Sequence, residues 1–299
     1  MSEGGRLRIN LGDVTLWFDV SGPSVVPQGS TAAERPTLVA VHGGPGLDHV
    51  NLKAELEPLT ASVQVLYYDQ RGHGRSDRGT PEDWNLRTWA SDLRRLCDAL
   101  GLLKPVVLGS SFGGHVALAY AGLYPGHPGG IILANSTGGR SDHQRSIEVF
   151  RRLGGDEAAA AAEREFANPS DDSLAEFRRV CLPLYSGKPD TPEELRQRRS
   201  RSIETRDVNR HYFRDASRLD PWSLLGMIEC PVLILAGEDD PVCPLPVAES
   251  LASQLPAGST RLLRLPGARH TTFRDRPDIA FPAVEKFARR IANGVWPAC

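Results

Sequence analysis

Gly109-Ser110-Ser111-Phe112-Gly113 places a serine midway between two glycines, in G-x-S-x-G spacing. The spacing alone fits any glycine-rich loop. Its flanks say more: Pro105 to Leu108 reads as a short apolar strand, and Gly114 to Tyr120 as the start of a helix. A strand-turn-helix setting is what a nucleophilic serine at a sharp turn requires. Glycines on either side let neighbouring backbone approach, and the turn holds the serine in strained φ/ψ space. The helix behind it offers N–H groups and a positive dipole end to a developing oxyanion. A serine hydroxyl is a weak nucleophile without a base oriented by a third group. Two later segments supply candidates. The apolar run Val232 to Ala236 ends in Gly237-Glu238-Asp239-Asp240, and Arg261 to Leu265 ends in Pro266-Gly267-Ala268-Arg269-His270. Both sets of polar residues follow the carboxyl end of a strand, where open α/β sheets bind ligands. The chemistry implied is attack on a carbonyl, with His270 as base and one of three adjacent carboxylates behind it.

The elements that must position these residues follow from the apolar pattern. Leu7 to Val20 alternates and turns at Gly12-Asp13, a hairpin signal. Ser21 to Pro36, rich in Pro, Ser and Gly, reads as a surface loop. Thr37 to Val41, Val63 to Tyr68, Pro105 to Leu108, Ile131 to Ala134, Pro231 to Ala236 and Arg261 to Leu265 are strands. Leu86, Trp89, Leu93, Leu96 and Leu100 recur at helical spacing, with Gly101 as the stop. Phe112 to Tyr124 and about Ile279 to Ala292 are further helices. Short apolar strands alternating with helices predict an α/β fold with a mostly parallel central sheet flanked by helices. The alternation stops at Thr137. From there to about Arg218 the chain is charge-dense, with helices predicted at Glu157 to Phe166 and Pro192 to Arg206. Residues 137–218 are therefore expected to form an inserted helical cap, dividing an α/β core of residues 1–136 and 219–299.

Composition narrows the function. The 299 residues are 40% hydrophobic and 24% charged, with a formal net charge of -2. That balance argues against nucleic acid as a partner. No apolar run approaches the ~20 residues of a membrane helix, and Met1 to Asn10 lacks the apolar region of a signal peptide. A cytoplasmic location is expected, and so is a small-molecule or short-peptide substrate. The five cysteines (97, 181, 230, 243 and 299) are odd in number and none pair as CxxC, so neither a disulfide framework nor a zinc knuckle is predicted. The histidines form no HxH or HxxxH pair. Neither a metal nor a cofactor is expected.

Three segments carry a resemblance: His42-Gly43-Gly44-Pro45-Gly46, Asp69 to Ser76 (DQRGHGRS) and Gly109 to Gly114 (GSSFGG). With the chain order serine, acid, histidine, the sequence resembles an α/β-hydrolase along nearly its whole length, and within that superfamily the proline iminopeptidase group. The resemblance implies Ser111 as nucleophile, His270 as base and acid, and Asp240, three residues beyond the strand-end Gly237, as the orienting acid. It implies the backbone N–H groups of Gly44 and Phe112 as oxyanion donors. His42 reads as a brace for the oxyanion loop, and Asp69 to Ser76 as a structural turn. His115 is assigned to packing behind the serine, and Cys243 to a bystander place near Asp240. The family's aminopeptidases hold the substrate's free α-amine with cap carboxylates. Glu204 and Asp207 are the candidate counterparts, although a charged helix commonly just solvates its outer face. The expected reaction is hydrolysis of an ester or amide through an acyl-enzyme, with release of an N-terminal residue as the resembling activity. An esterase or lactonase acting on a small metabolite is the alternative. A non-hydrolytic lyase or ligand receptor is a third reading, because fold does not fix function.

Overall fold

The computed structural model describes residues 7–188, 190–215 and 218–295. Cys299 and the stretch before Leu7, both used above, lie outside these residues. Among the described residues ten strands form: β1 (Leu7–Asn10), β2 (Thr15–Ser21), β3 (Val25–Gln28), β4 (Thr31–Glu34), β5 (Thr37–Val41), β6 (Gln64–Tyr68), β7 (Val106–Ser110), β8 (Gly130–Ala134), β9 (Val232–Gly237) and β10 (Thr260–Leu265). Eight make one sheet in the order β1-β2-β6-β5-β7-β8-β9-β10. β1 pairs antiparallel with β2, and β2 with β6; every other pairing in this sheet is parallel. The segment expected to be a loop between β2 and β5 instead folds back on itself as the separate β3–β4 hairpin. Val25-Val26 supplies β-branched residues and Gly29, at φ 60°, makes the turn.

The central strands are buried on both faces, and alternation sends their side chains to two cores. Val39, Val107, Ile131 and Ile234 join one apolar cluster with Trp89, Leu93 and Val116. Leu38, Leu108, Ile132 and Leu235 join the other, with Leu56, Phe273 and Phe287. Before β9, the helices are α1 (Val50–Leu56), α2 (Leu86–Ala99), α3 (Phe112–Leu123), α4 (His143–Ala167), α5 (Asp171–Val180), α6 (Pro192–Arg201) and α7 (Arg206–Arg214). After it come α8 (Leu245–Gln254), α9 (Thr272–Asp275) and α10 (Pro277–Ala292).

Two helical expectations needed correction. The run predicted at Glu157 to Phe166 begins much earlier, at His143, where Asp142 accepts from the Arg145 N–H as N-cap. It is broken at Gly155, which adopts φ 74°. The helix predicted from Pro192 to Arg206 stops at Arg201, and α7 begins at Arg206. The reason is tertiary: the buried Asp48 carboxylate accepts from Ser202 Oγ and from the Ile203 N–H, both at 2.9 Å, and draws the chain out of helix there.

The sheet order brings the site together. The chain runs from β5 to β6 on one side and then returns with β7 on the other side of β5. That reversal opens a crevice at the strands' carboxyl ends. His42 leaves β5 there, Ser111 leaves β7, and the loops beyond β9 and β10 end at the same rim.

Candidate active site

Ser111 follows β7 directly and precedes α3, and its backbone sits at φ 51°, ψ -118°. A non-glycine residue rarely adopts this conformation. Close packing enforces it: a Cβ on Gly109 would lie 2.3 Å from the Gly113 oxygen, and one on Gly113 would lie 2.1 Å from the Val41 oxygen. The Ser111 N–H donates to the Ala134 carbonyl at 2.9 Å, fastening the turn to β8.

From this turn a hydrogen-bonded line runs through His270 to Asp240. His270 Nε2 is 3.1 Å from Ser111 Oγ, and His270 Nδ1 is 2.9 and 3.1 Å from the two Asp240 carboxylate oxygens. Asp240 Oδ1 also accepts from the N–H groups of Val242 and Cys243, both at 2.8 Å. An acceptor-only carboxylate opposite Nδ1 puts the proton on Nδ1, leaving Nε2 to accept from the serine hydroxyl. Burial works against the charged imidazole. The Asp240 charge and hydrogen bond, with Cys243 beside them, outweigh burial and hold the His270 pKa well above its ordinary value. The carboxylate thus favours the protonated form of the imidazole. The histidine's backbone is fixed as well: its carbonyl accepts from Asn135 Nδ2 at 2.9 Å, and the Arg269 N–H donates to Asp275.

The three adjacent carboxylates have different surroundings. Glu238 is exposed. Asp239 pairs with Arg152 at 2.7 Å. Asp240, 1% exposed, alone of the three is bonded to His270.

Phe112 is the first residue of α3, so its N–H has no partner within the helix. Facing it is the glycine loop after β5: a Cβ on Gly43 would lie 3.3 Å from Ser111 Cβ, and Gly44 follows at φ 131°. His42 is buried beneath this loop. Its Nε2 accepts from the Gln70 N–H at 3.2 Å and its Nδ1 donates to the Gly43 carbonyl at 2.9 Å. Burial holds its pKa below the ordinary value, so the ring remains a neutral brace. The Asp69 to Ser76 turn is likewise occupied internally. Asp69 accepts from the N–H and the Nδ1 of His49, and from the Arg75 N–H. Arg71 forks onto Asp92 at 2.8 and 2.9 Å and reaches Asp13 at 2.7 Å. His115 is 3.2 Å from the Tyr212 hydroxyl and lies against Phe112; burial pushes its pKa down to about 3.

Glu204 and Asp207 are not gathered with Ser111 and His270. Glu204 pairs with Arg178 and Arg206, and the Asp207 side chain is 73% exposed, 3.8 Å from Arg78. Their arginines and the solvent already satisfy them. Two groups the sequence did not single out lie closer to the chemistry. The Tyr185 ring meets His270 edge-on at 5.3 Å between centroids. Glu55 on α1 is half-buried within the fields of His270, Arg198, Arg274 and Asp275, and burial pushes its pKa up to about 7. An acidic residue in an amphipathic helix is ordinarily a solvated one, so no local signal marks Glu55. Asp240, Cys243 and His270 offer ligand atoms within 4.8 Å of one another, the one such group among the described residues. Two of those three groups are already engaged with each other in the hydrogen-bonded line.

Comparison with known proteins agrees with this architecture. The chain is 32% identical over 262 residues to a proline iminopeptidase of Levilactobacillus brevis, a match spanning 80% of this chain and 84% of the relative. A crystal structure of the proline iminopeptidase of Mycobacterium smegmatis covers 97% of this chain and 99% of its own, at 20% identity and a TM-score of 0.74. Est816, titled an N-acyl homoserine lactone degrading enzyme, covers 94% of this chain and 100% of its own, at 21% identity and a TM-score of 0.68. The two solved structures, at 20% and 21% identity, speak to fold alone. The profile of the alpha/beta hydrolase fold matches residues 36–277, and the chain belongs to that family.

Proposed function

We propose that the protein is a serine hydrolase that cleaves an ester or amide through an acyl-enzyme. Ser111 Oγ attacks the carbonyl carbon while His270 Nε2 takes the hydroxyl proton, and Asp240 stabilises the resulting imidazolium. The carbonyl oxygen, now an anion, is held by the N–H groups of Gly44 and Phe112. His270 returns its proton to the leaving group as the tetrahedral intermediate collapses. It then takes a proton from water as that water attacks the acyl-enzyme, and gives it to Ser111 Oγ as the acid product leaves, restoring the free serine. The 3.1 Å approach of His270 Nε2 to Ser111 Oγ carries this reading. Turnover of p-nitrophenyl acetate by the wild type, abolished in Ser111→Ala with folding retained, is the test; equal turnover by the variant refutes it.

The substrate is the finer question. The likeness to the Levilactobacillus brevis proline iminopeptidase supports removal of an N-terminal residue from a short peptide. A buried α-ammonium then needs a carboxylate, and half-buried Glu55 is better suited than Glu204 or Asp207. The arginine pairing of Glu204 supports a second reading, an esterase or lactonase taking an uncharged acyl group. Proline p-nitroanilide compared with a short acyl ester separates the two. Residues 137–218 act as the cap in either case, walling the pocket above core residues 1–136 and 219–299; the packing of Tyr185 on His270 supports this. Buried free thiols at 97, 181, 230 and 243 support a reducing, cytoplasmic setting, and among the described residues no helix is long and apolar enough to cross a membrane.

A further inference from the structure

Helix α7 lies in the charge-dense stretch between β8 and β9, yet its inward residues join the main apolar core. Val208 is fully buried and Tyr212 is 2% exposed, and both cluster with Trp84 and Trp89. Asn209 and Tyr212, three residues apart, share a helix face. Arg206, Asp207, Arg210 and Phe213 are exposed.

That inward face touches both halves of the oxyanion site. On one side, Asn209 Nδ2 donates to the Pro45 carbonyl at 3.0 Å, and the Thr205 N–H donates to the Gly46 carbonyl at 2.6 Å. The approach is intimate: a Cβ on Gly46 would lie 2.6 Å from the Thr205 oxygen and 3.3 Å from Asn209 Cβ. Just upstream, Ser202 and Ile203 are anchored on buried Asp48, two residues beyond Gly46. On the other side, the Tyr212 ring meets the Phe112 ring edge-on at 5.0 Å between centroids, and its hydroxyl lies 3.2 Å from His115 Nδ1. The glycine loop carries Gly44, and the elbow carries Phe112. One short helix is therefore fastened to the supports of both N–H donors.

We propose that α7 is a positioning element of the oxyanion hole, with Asn209 fixing the Gly44 side and Tyr212 the Phe112 side. The inference rests on the serine-hydrolase reading above. Oxyanion donors must meet the oxygen of the tetrahedral intermediate, not that of the bound substrate. Slackening them weakens transition-state binding while leaving ground-state binding largely intact. The insertion thus acts on kcat, beyond forming a pocket wall.

The test uses the full-length protein and a p-nitrophenyl ester, with active sites titrated by a fluorophosphonate so that kcat refers to competent enzyme. Asn209→Ala should lower kcat by about 10- to 100-fold, with KM changed by less than about threefold, as expected for a misplaced catalytic group. Affinity for a boronic acid that mimics the tetrahedral state should fall by the same factor, while affinity for the carboxylic acid product holds. Should Asn209→Ala fold poorly, Asn209→Asp keeps the shape and removes the donor, and should show the same split. Tyr212→Leu should act likewise from the Phe112 side. Arg210→Ala, on the exposed face, should change neither quantity. A loss confined to KM or to the titrated fraction, with kcat and boronate affinity unchanged, overturns the role of α7 and leaves the serine mechanism standing. Wild-type turnover in Ser111→Ala overturns the mechanism, and this inference with it.

Discussion

Replacing Asp240 with asparagine exposes the logic of the site most sharply. The Asp240 carboxylate faces His270 Nδ1 at 2.9 and 3.1 Å, and Oδ1 also accepts two backbone N–H groups at 2.8 Å. In the variant the amide oxygen stays with those two N–H donors, and the amide nitrogen turns toward Nδ1. An amide nitrogen donates, so Nδ1 must accept and the imidazole proton moves to Nε2. His270 then meets the serine hydroxyl as a donor and has no lone pair for its proton. The expected loss is about 10⁴ in kcat, or about 5.4 kcal/mol of transition-state stabilisation at ~1.36 kcal/mol per decade. The pH profile gives an independent reading. In the wild type, kcat/KM should rise with pH as His270 loses its proton, at a pH set above the ordinary imidazole range by Asp240. Without that charge, burial, which favours the neutral ring, is opposed only by the smaller effect of Cys243, so the acidic limb of residual activity should move to lower pH. Asp239→Asn removes a partly exposed pair with Arg152 and should change stability by less than about 1 kcal/mol and leave kcat nearly intact. Steady-state kinetics with a p-nitrophenyl ester over a pH series measure the kinetic outcomes, and denaturant unfolding the stability. An Asp240→Asn enzyme retaining a tenth of wild-type kcat, or an Asp239→Asn enzyme equally impaired, would refute the reasoning.

Other outcomes follow from the same structure. Gly109→Ala puts a methyl 2.3 Å from the Gly113 oxygen, so denaturant unfolding should show a loss of at least about 1–3 kcal/mol; a wild-type midpoint would contradict the packing of the turn. Arg71→Ala leaves buried Asp92 with Arg95 as its remaining cation and should cost about 1–3 kcal/mol with kcat per folded molecule unchanged; a specific loss of kcat would give the DQRGHGRS turn a part in the chemistry. Glu55→Gln should raise KM for proline p-nitroanilide and spare a neutral ester, and wild-type KM for the amine substrate should fall as pH rises through about 7, where Glu55 ionises. No KM change for either substrate would remove Glu55 as the ammonium's partner.

What could be read from the sequence follows from how local each signal is. Short apolar runs reveal buried parallel strands because both faces need apolar side chains. Gly109 and Gly113 reveal the turn because only a residue without a side chain fits there. Three consecutive carboxylates after β9 do not sort themselves; Asp240 is singled out by the turn that bonds its Oδ1 to Val242 and Cys243. The β3–β4 hairpin was hidden by proline, serine and glycine, residues that serve loops and tight turns alike. The break after Arg201 was invisible because its cause, Asp48, lies 154 residues from Ser202 in sequence. Glu204 and Asp207 looked like candidates by type and place, and only the positions of Arg178, Arg206 and Arg78 show that they are already paired.

The central claim is that Ser111 is the nucleophile, made reactive by His270. Its most direct measurement is labelling of the native protein with a fluorophosphonate, followed by peptide mapping of the adduct. The account predicts stoichiometric modification of Ser111, blocked by prior heat denaturation and slowed by at least about a thousandfold in His270→Ala. Modification of Ser110 or another serine instead, or labelling of Ser111 at the same rate in His270→Ala, would contradict it.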